Sequence, residues 1–135
     1  MKNRSTPESL TDPQTLVKLA GLYDIYGELI KENSRDIFAD YVLENLSLSE
    51  IAEDRGISRQ GVYDSVVRTA KKLEEFEKKL GLHDRFEKIE TELSAAEDKL
   101  EKLEEAMTDS DTATRQQTKL LTQMKTSIKS IRDFM

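Results

Sequence analysis

The fold is decided by the stretch Ser47-Leu48-Ser49-Glu50-Ile51-Ala52-Glu53-Asp54-Arg55-Gly56-Ile57-Ser58-Arg59-Gln60-Gly61-Val62-Tyr63-Asp64-Ser65-Val66-Val67-Arg68. Ser47 and Glu50 stand at capping-box spacing: the hydroxyl takes the Glu50 backbone N–H and the carboxylate reaches back to that of Ser47. Leu48, Ile51 and Ala52 then form one short apolar face, with Ala52 small where a second helix should cross closely. Gly56 is placed to end the first helix, because it enters the left-handed region without a Cβ clash. Ile57 is expected to plug the corner. Ser58 is expected to cap a second helix whose Val62, Val66, Ala70 and Leu73 recur every three or four positions. Two helices around a short turn containing Gly, the second opening with polar side chains, have the layout of a major-groove reader. The same unit also serves packing or protein contact, since a fold does not fix a function.

Upstream of this stretch, residues 1 to about 11 are polar and predicted to be disordered. Asp12-Pro13 is a start signal, Asp as cap and Pro where no N–H is needed. Leu16, Leu19, Ala20, Tyr23, Gly27 and Ile30 then predict helix 1 over about 13–31, with Gly21 and Gly27 permitting close helix contact. Ser34 is expected to cap helix 2 over about 35–44, with Ile37, Phe38 and Tyr41 inward. Helix 3 covers about 48–55 and helix 4 about 59–80. Tyr23, Tyr26 and Tyr41 lie at apolar-periodic positions and are expected in the core rather than stacked on bases.

Downstream, Gly81 is a break, and Asp84 with Glu87 restarts the pattern at capping-box spacing. The lone histidine, His83, flanks that break without a ligand pattern around it. Phe86, Ile89, Leu93, Ala96, Leu100, Leu103 and Met107 alternate steps of three and four, a heptad seam. After the polar Asp109-Ser110-Asp111, a last helix is predicted over 112–134 with the seam Leu121, Met124, Ile128, Ile131 and Met135. Two such helices around a polar turn predict a helical hairpin. A narrow seam needs a partner: the last helix folded back, a second copy, or another protein. The expected organisation is therefore a disordered 1–11, a helix-turn-helix domain over 12–80, and a coiled-coil-like arm over 84–134 for self- or partner association.

Bulk properties agree with an all-α protein. Charged residues make up 36% of 135, whereas Gly and Pro number only 5 and 2, which disfavours a β-sandwich or barrel. No stretch approaches the roughly 18 unbroken apolar residues of a membrane span. Met1-Lys2-Asn3-Arg4-Ser5-Thr6-Pro7 leads into no apolar region, so no signal peptide is expected. The absence of cysteine fits a cytoplasmic chain. A net charge of −6 argues against tight non-specific nucleic-acid binding over the whole surface.

A local exception lies at the start of helix 4. Arg59, Gln60, Tyr63 and Asp64 occupy its first turns, where a helix-turn-helix approaches base edges. Arg and Gln have the fork geometry for bidentate contact with guanine and adenine respectively. Arg68, Lys71 and Lys72 follow as candidate phosphate contacts, giving residues 59–72 a net charge of +3. Asp64 repels phosphate unless it reads a cytosine amine, and Glu74, Glu75 and Glu77 end the basic stripe at once. The bland alternative is an ordinary solvated helix face. No phosphate-binding glycine loop, zinc spacing or nucleophile–base pattern occurs, so neither an enzyme nor a metal, cofactor or small-molecule substrate is expected.

Several runs together resemble a known family. They are Leu22-Tyr23-Asp24-Ile25-Tyr26-Gly27, Leu46-Ser47-Leu48-Ser49-Glu50-Ile51-Ala52-Glu53, Gly56-Ile57-Ser58-Arg59-Gln60-Gly61-Val62-Tyr63-Asp64, Lys71-Lys72-Leu73-Glu74 and Lys79-Leu80-Gly81-Leu82. The chain resembles, over about residues 19–105, the YlxM family of small Gram-positive helix-turn-helix proteins, whose motif is similar to region 4 of sigma factors. It departs from that pattern at Lys31-Glu32-Asn33-Ser34 and at Gly61, where Ala is usual. The resemblance implies an all-helical fold, a homodimer, and a regulatory link to the signal recognition particle through that particle's RNA or GTPase. Two alternatives stay open: a DNA-binding transcription regulator, and a pure protein-interaction module. In the last case the contacts would fall on Phe86, Ile89, Leu93, Leu100, Leu103, Leu121, Met124, Ile128 and Ile131.

Overall fold

The computed structural model describes residues 10–108 and 115–135. In chain order the elements are α1 (Pro13–Tyr26), a 3-10 turn (Gly27–Leu29), α2 (Glu32–Val42), α3 (Leu48–Arg55), α4 (Arg59–Leu80), α5 (Leu82–Thr108) and α6 (Arg115–Asp133), with no strand among the described residues. The chain divides into two compact units, Met1–His83 and Asp84–Met135.

In the first unit, α1, α2 and α3 all pack on α4. That helix buries Val62, Ser65, Val66, Thr69, Ala70 and Leu73 along one broad stripe. Against it lie Leu19, Leu22, Tyr26, Ile30, Ile37, Phe38 and Ile51. Phe38 and Leu22 are fully buried, and the Phe38 ring stacks on Tyr23 at 5.7 Å between centroids. Burying a side chain of this size stabilises the fold by about 2 kcal/mol, by removing its apolar surface from water.

Local chemistry starts and stops these helices. The Asp12 carboxylate accepts from the Thr15 backbone N–H, with Pro13 opening α1. The expected helix over 13–31 is shorter: α1 ends at Tyr26, its last turn tightens into the 3-10 turn, and Ile30 leaves in extended conformation, buried in the core. Helix 2 was expected to begin after Ser34; instead α2 begins at Glu32 behind Lys31, which offers no side-chain cap. The Lys31 carbonyl accepts from the Arg35 N–H at 2.8 Å, and Glu32 places a negative charge at the positive end of the helix. Asn45 ends that segment in the left-handed region, φ 57°. The Asp40 carboxylate takes both Nε and Nη2 of Arg55, tying α3 to α2.

The polar lead over 1–11 is shorter than expected at its inner edge; residues 1–9 lie outside the described residues. Leu10 is 4% exposed and belongs to the core, and its carbonyl accepts from the Tyr41 hydroxyl. A single apolar residue in a polar run, with the core gap it fills supplied by α1 and α2, carries no periodic signal.

The corner between α4 and α5 was expected to restart at Asp84. Gly81 does end α4 in the left-handed region, φ 63°, but α5 begins at Leu82, so Asp84 lies inside its first turn. The start is capped from a distance. The Tyr26 hydroxyl accepts from the Leu82 N–H at 3.1 Å and donates to Glu77 Oε1 at 2.8 Å, and the His83 N–H donates to the same Glu77 oxygen at 3.0 Å. Gly21 lets the His83 ring lie against α1, since a Cβ there would fall 2.5 Å from His83 Nε2.

In the second unit, α5 and α6 of the same chain form a hairpin around Leu93, Leu100, Leu121 and Ile128, flanked by Ile89, Ala96 and Met107. The seam is narrower than its 3-4 spacing predicts. Leu103, Met124 and Ile131 are about half exposed, at 49%, 51% and 48%. Over residues 89–107 the seam of α5 is covered by α6, so one line of side chains is buried. Beside that line stand the ion pairs Lys125–Glu104 at 2.7 Å, Arg132–Glu90 at 2.9 Å and Arg132–Glu97 at 2.8 Å. Helix 6 was expected over 112–134; α6 begins at Arg115, and residues 109–114 lie outside the described residues.

Candidate nucleic-acid interface

The interface is built on the corner between α3 and α4. Ser47 Oγ accepts from the Glu50 N–H at 3.1 Å, and the Glu50 carboxylate accepts from the Ser47 N–H at 2.9 Å. The Ser47 backbone N–H first, and then the Ser47 side chain, stabilise the ionised carboxylate and hold its pKa below the ordinary 4.5. Gly56 adopts φ 66°, ψ 33°, and the Ile57 N–H donates back to the Ala52 carbonyl at 3.1 Å. Ile57 itself is 42% exposed and does not plug the corner. The backbone bonds and Gly56 hold the turn, which leaves the Ile57 side chain outside. Ser58 Oγ then accepts from the Gly61 N–H at 2.9 Å, capping α4.

From this start, α4 carries its polar residues opposite the buried stripe. Arg59, Gln60, Asp64, Arg68, Lys71 and Lys72 are exposed, and Tyr63 is half-buried against the edge of the core. Leu48, Arg59, Gln60 and Tyr63 line one open groove of about 630 Å³. Leu48, at the first position of α3, is a lining residue that sequence reasoning assigned only to packing. Gln60 Nε2 donates to Asp64 Oδ1 at 3.0 Å, one turn along the helix. That pair is readable in retrospect, because Gln and Asp four apart face each other on any helix. Arg59, Arg68, Lys71 and Lys72 make no ion pair among the described residues, whereas Arg35, Arg55, Lys88, Lys125 and Arg132 each do. The aromatic candidates behave as core: Tyr26 is 1% exposed, and Tyr41 spends its hydroxyl on Leu10.

The association seam divides. Leu93, Leu100, Leu121 and Ile128 are buried within the hairpin, Phe86 and Ile89 are half-buried, and Leu103, Met124 and Ile131 remain open. No cluster of three or more His, Cys, Asp or Glu placed to hold a metal ion occurs among the described residues. No helix there is long and apolar enough to cross a membrane.

Comparison with known proteins agrees with the fold. A family model described as "UPF0122: Putative helix-turn-helix protein, YlxM / p13 like" matches residues 14–133. A UPF0122 protein of Thermoanaerobacter sp. (strain X514) is 50% identical over 72 residues, covering 53% of this chain and 62% of that protein. One from Halalkalibacterium halodurans is 45% identical over 89 residues, covering 64% of this chain and 82% of its own length. One from Caldanaerobacter subterraneus is 52% identical over 61 residues, covering 45% and 52%. The chain thus spans about six tenths of the length of the Thermoanaerobacter relative. With a family model matched over most of its length and a capped Gly56 corner at its centre, the chain belongs to the YlxM/p13-like helix-turn-helix family UPF0122.

Proposed function

We propose that the chain is a non-catalytic nucleic-acid-binding regulator that lays the first turns of α4 into the major groove of duplex DNA. The observation carrying this reading is the outward face of α4: Arg59, Gln60, Tyr63 and Asp64 at its start, followed by Arg68, Lys71 and Lys72, which make no ion pair among the described residues. Arg59 and Gln60 have base-edge geometry, and the three later cations suit phosphates, which position without specifying. Residues 12–80 act as the nucleic-acid unit and residues 84–134 as an association arm. A homodimer through the arm, where Leu103, Met124 and Ile131 are half-exposed, would match a palindromic site.

A second reading places the protein in the signal recognition particle pathway, on the particle's RNA or its GTPase. It is favoured by Arg68, Lys71 and Lys72, whose charges need only phosphates. The deep, narrow major groove of A-form RNA does not admit a reading helix, so Gln60 would be idle there. Fluorescence anisotropy with a randomised duplex DNA pool, the particle's RNA and its GTPase separates these. Duplex DNA should bind, with affinity falling as salt rises and with the slope reduced by about 0.9 for each phosphate-contacting cation removed, as in Arg68→Ala. Binding to the particle's RNA or GTPase but not to DNA would replace the first reading with the second. Binding to the GTPase that survives Arg59→Ala and Arg68→Ala would leave a protein-interaction module.

A further inference from the structure

We infer that Asp64 is a positioning residue that fixes the Gln60 amide so that the pair selects adenine in duplex DNA. The inference rests on the reading of α4 as a duplex reader and adds to it which base is chosen and why an acid stands in a basic stripe.

Gln60 and Asp64 are one turn apart on the exposed face of α4, opposite Val62, Val66 and Leu73, and Gln60 also lines the groove with Leu48, Arg59 and Tyr63. A side-chain amide has two N–H donors and one acceptor oxygen. Gln60 commits one N–H to Asp64 Oδ1 at 3.0 Å. What remains is one N–H and Oε1. The major-groove edge of adenine offers an amino donor and the N7 acceptor, which match that remainder one for one. Guanine offers two acceptors, O6 and N7, so it needs two donors or a turned amide. Turning the Gln60 amide would bring Oε1 against the Asp64 carboxylate, acceptor to acceptor, and lose the existing bond. The carboxylate therefore keeps the amide in its adenine-reading orientation.

The charge of Asp64 explains the cost of this arrangement. A carboxylate among Arg59, Arg68, Lys71 and Lys72 weakens attraction to phosphate for every sequence alike. It lowers non-specific affinity while raising discrimination, which is the signature of a specificity device rather than a strength device.

The test is selection by the full-length chain from a randomised duplex pool, followed by sequencing and by anisotropy on the unselected pool. The wild type should enrich sites with adenine at one position per bound unit. Gln60→Ala should erase that preference. Asp64→Ala should lower the adenine-to-guanine ratio there about tenfold, within the range of one bidentate contact. Asp64→Glu keeps an acceptor-only carboxylate for the Gln60 N–H, so it should keep the preference; Asp64→Ala should bind the unselected pool more tightly than wild type, and Asp64→Glu should not. Because Asp64 is exposed, circular dichroism should be unchanged in each. An enriched wild-type motif that Asp64→Ala leaves intact would overturn this inference alone. Loss of the preference in Asp64→Glu to the same degree as in Asp64→Ala would also overturn it, since an acceptor one turn along would then not be what holds the amide. A wild type that enriches no motif would overturn it together with the base-reading function.

Discussion

Residues 59–73 of α4 and residues 89–107 of α5 carry apolar side chains at the same spacing of three and four, yet they end in different environments. In α4, Val62, Val66 and Leu73 are 0% exposed; in α5, Leu93 and Leu100 retain 8% and 6%, and Leu103 is half open. Three helices pack on α4, so twelve hydrophobic side chains are buried around it. In the hairpin, the seams of α5 and α6 cover each other, and among the described residues four hydrophobic side chains are buried there, with ion pairs on the flanks. An apolar stripe shows which face of a helix is to be covered; the number of neighbours decides how much of it is. The difference also bears on function. In the first unit the core leaves the opposite face of α4 to carry Arg59, Gln60, Arg68, Lys71 and Lys72, whereas in the second Lys125 and Arg132 pair with Glu104, Glu90 and Glu97 beside the seam.

The sharpest way to break this comparison is to open each core in turn. Phe38→Ala should cost about 3–5 kcal/mol, the usual loss for deleting a fully buried ring, read as a shift in the urea midpoint. Leu100→Ala should cost about 2–3 kcal/mol, at the low end for such a change because a two-helix seam can close on the gap. Amide hydrogen exchange should then lose protection in α5 and α6 while α1–α4 keep theirs. Equal loss in all six helices would show one cooperative core in place of two.

A smaller effect tests the long-range cap. Tyr26→Phe deletes the hydroxyl that accepts from Leu82 and donates to Glu77, and should cost about 1–3 kcal/mol. Burial first, then the bond to Glu77, raises the Tyr26 pKa above its ordinary 10. The folded state therefore keeps the phenol protonated when the unfolded chain has begun to ionise. The stabilisation is complete below pH 10 and is lost as pH rises through the folded value. Stability curves above pH 10 should fall more steeply for wild type than for Tyr26→Phe; parallel curves would show that the phenol is not linked to folding.

The smallest effect concerns the α3 cap. Because the Glu50 pKa is depressed by the Ser47 bonds, its contribution is present above the unfolded value of 4.5 and lost as pH falls through the folded one. An NMR titration should place the Glu50 carboxyl below 4.5 in wild type and return it toward that value in Ser47→Ala. A Glu50 titration unchanged by Ser47→Ala would leave the Ser47 backbone N–H, which the substitution keeps, as the cause and the hydroxyl without a part in it.

Most of the first unit was legible from residues close in sequence. Caps and corners depend on groups three to five residues apart, so Ser47 with Glu50, Gly56, Ser58 and Gly81 each disclosed their role. The exposed start of α4 followed, because Val62, Val66, Ala70 and Leu73 fix which face turns inward. The Gln60–Asp64 bond lies within the same range and was a matter of noticing the spacing. Leu10 and the half-open seam of α5 and α6 were not legible, since each depends on what lies across from it; the early start of α2 has no side-chain cap to announce it.

The amino-acid order by itself determined the six helices, the Gly56 turn and the family to which the chain belongs, because backbone hydrogen bonding and capping are satisfied locally. Tertiary structure alone decided where α5 begins, which of its apolar residues are covered and how the hydroxyl of Tyr26 is used. Those outcomes require Tyr26 to meet Leu82, and Glu104 to meet Lys125, at separations of 56 and 21 positions along the chain. No periodicity in a one-dimensional sequence encodes contacts at such separations; they arise when helices pack and each buried polar group has to find a partner.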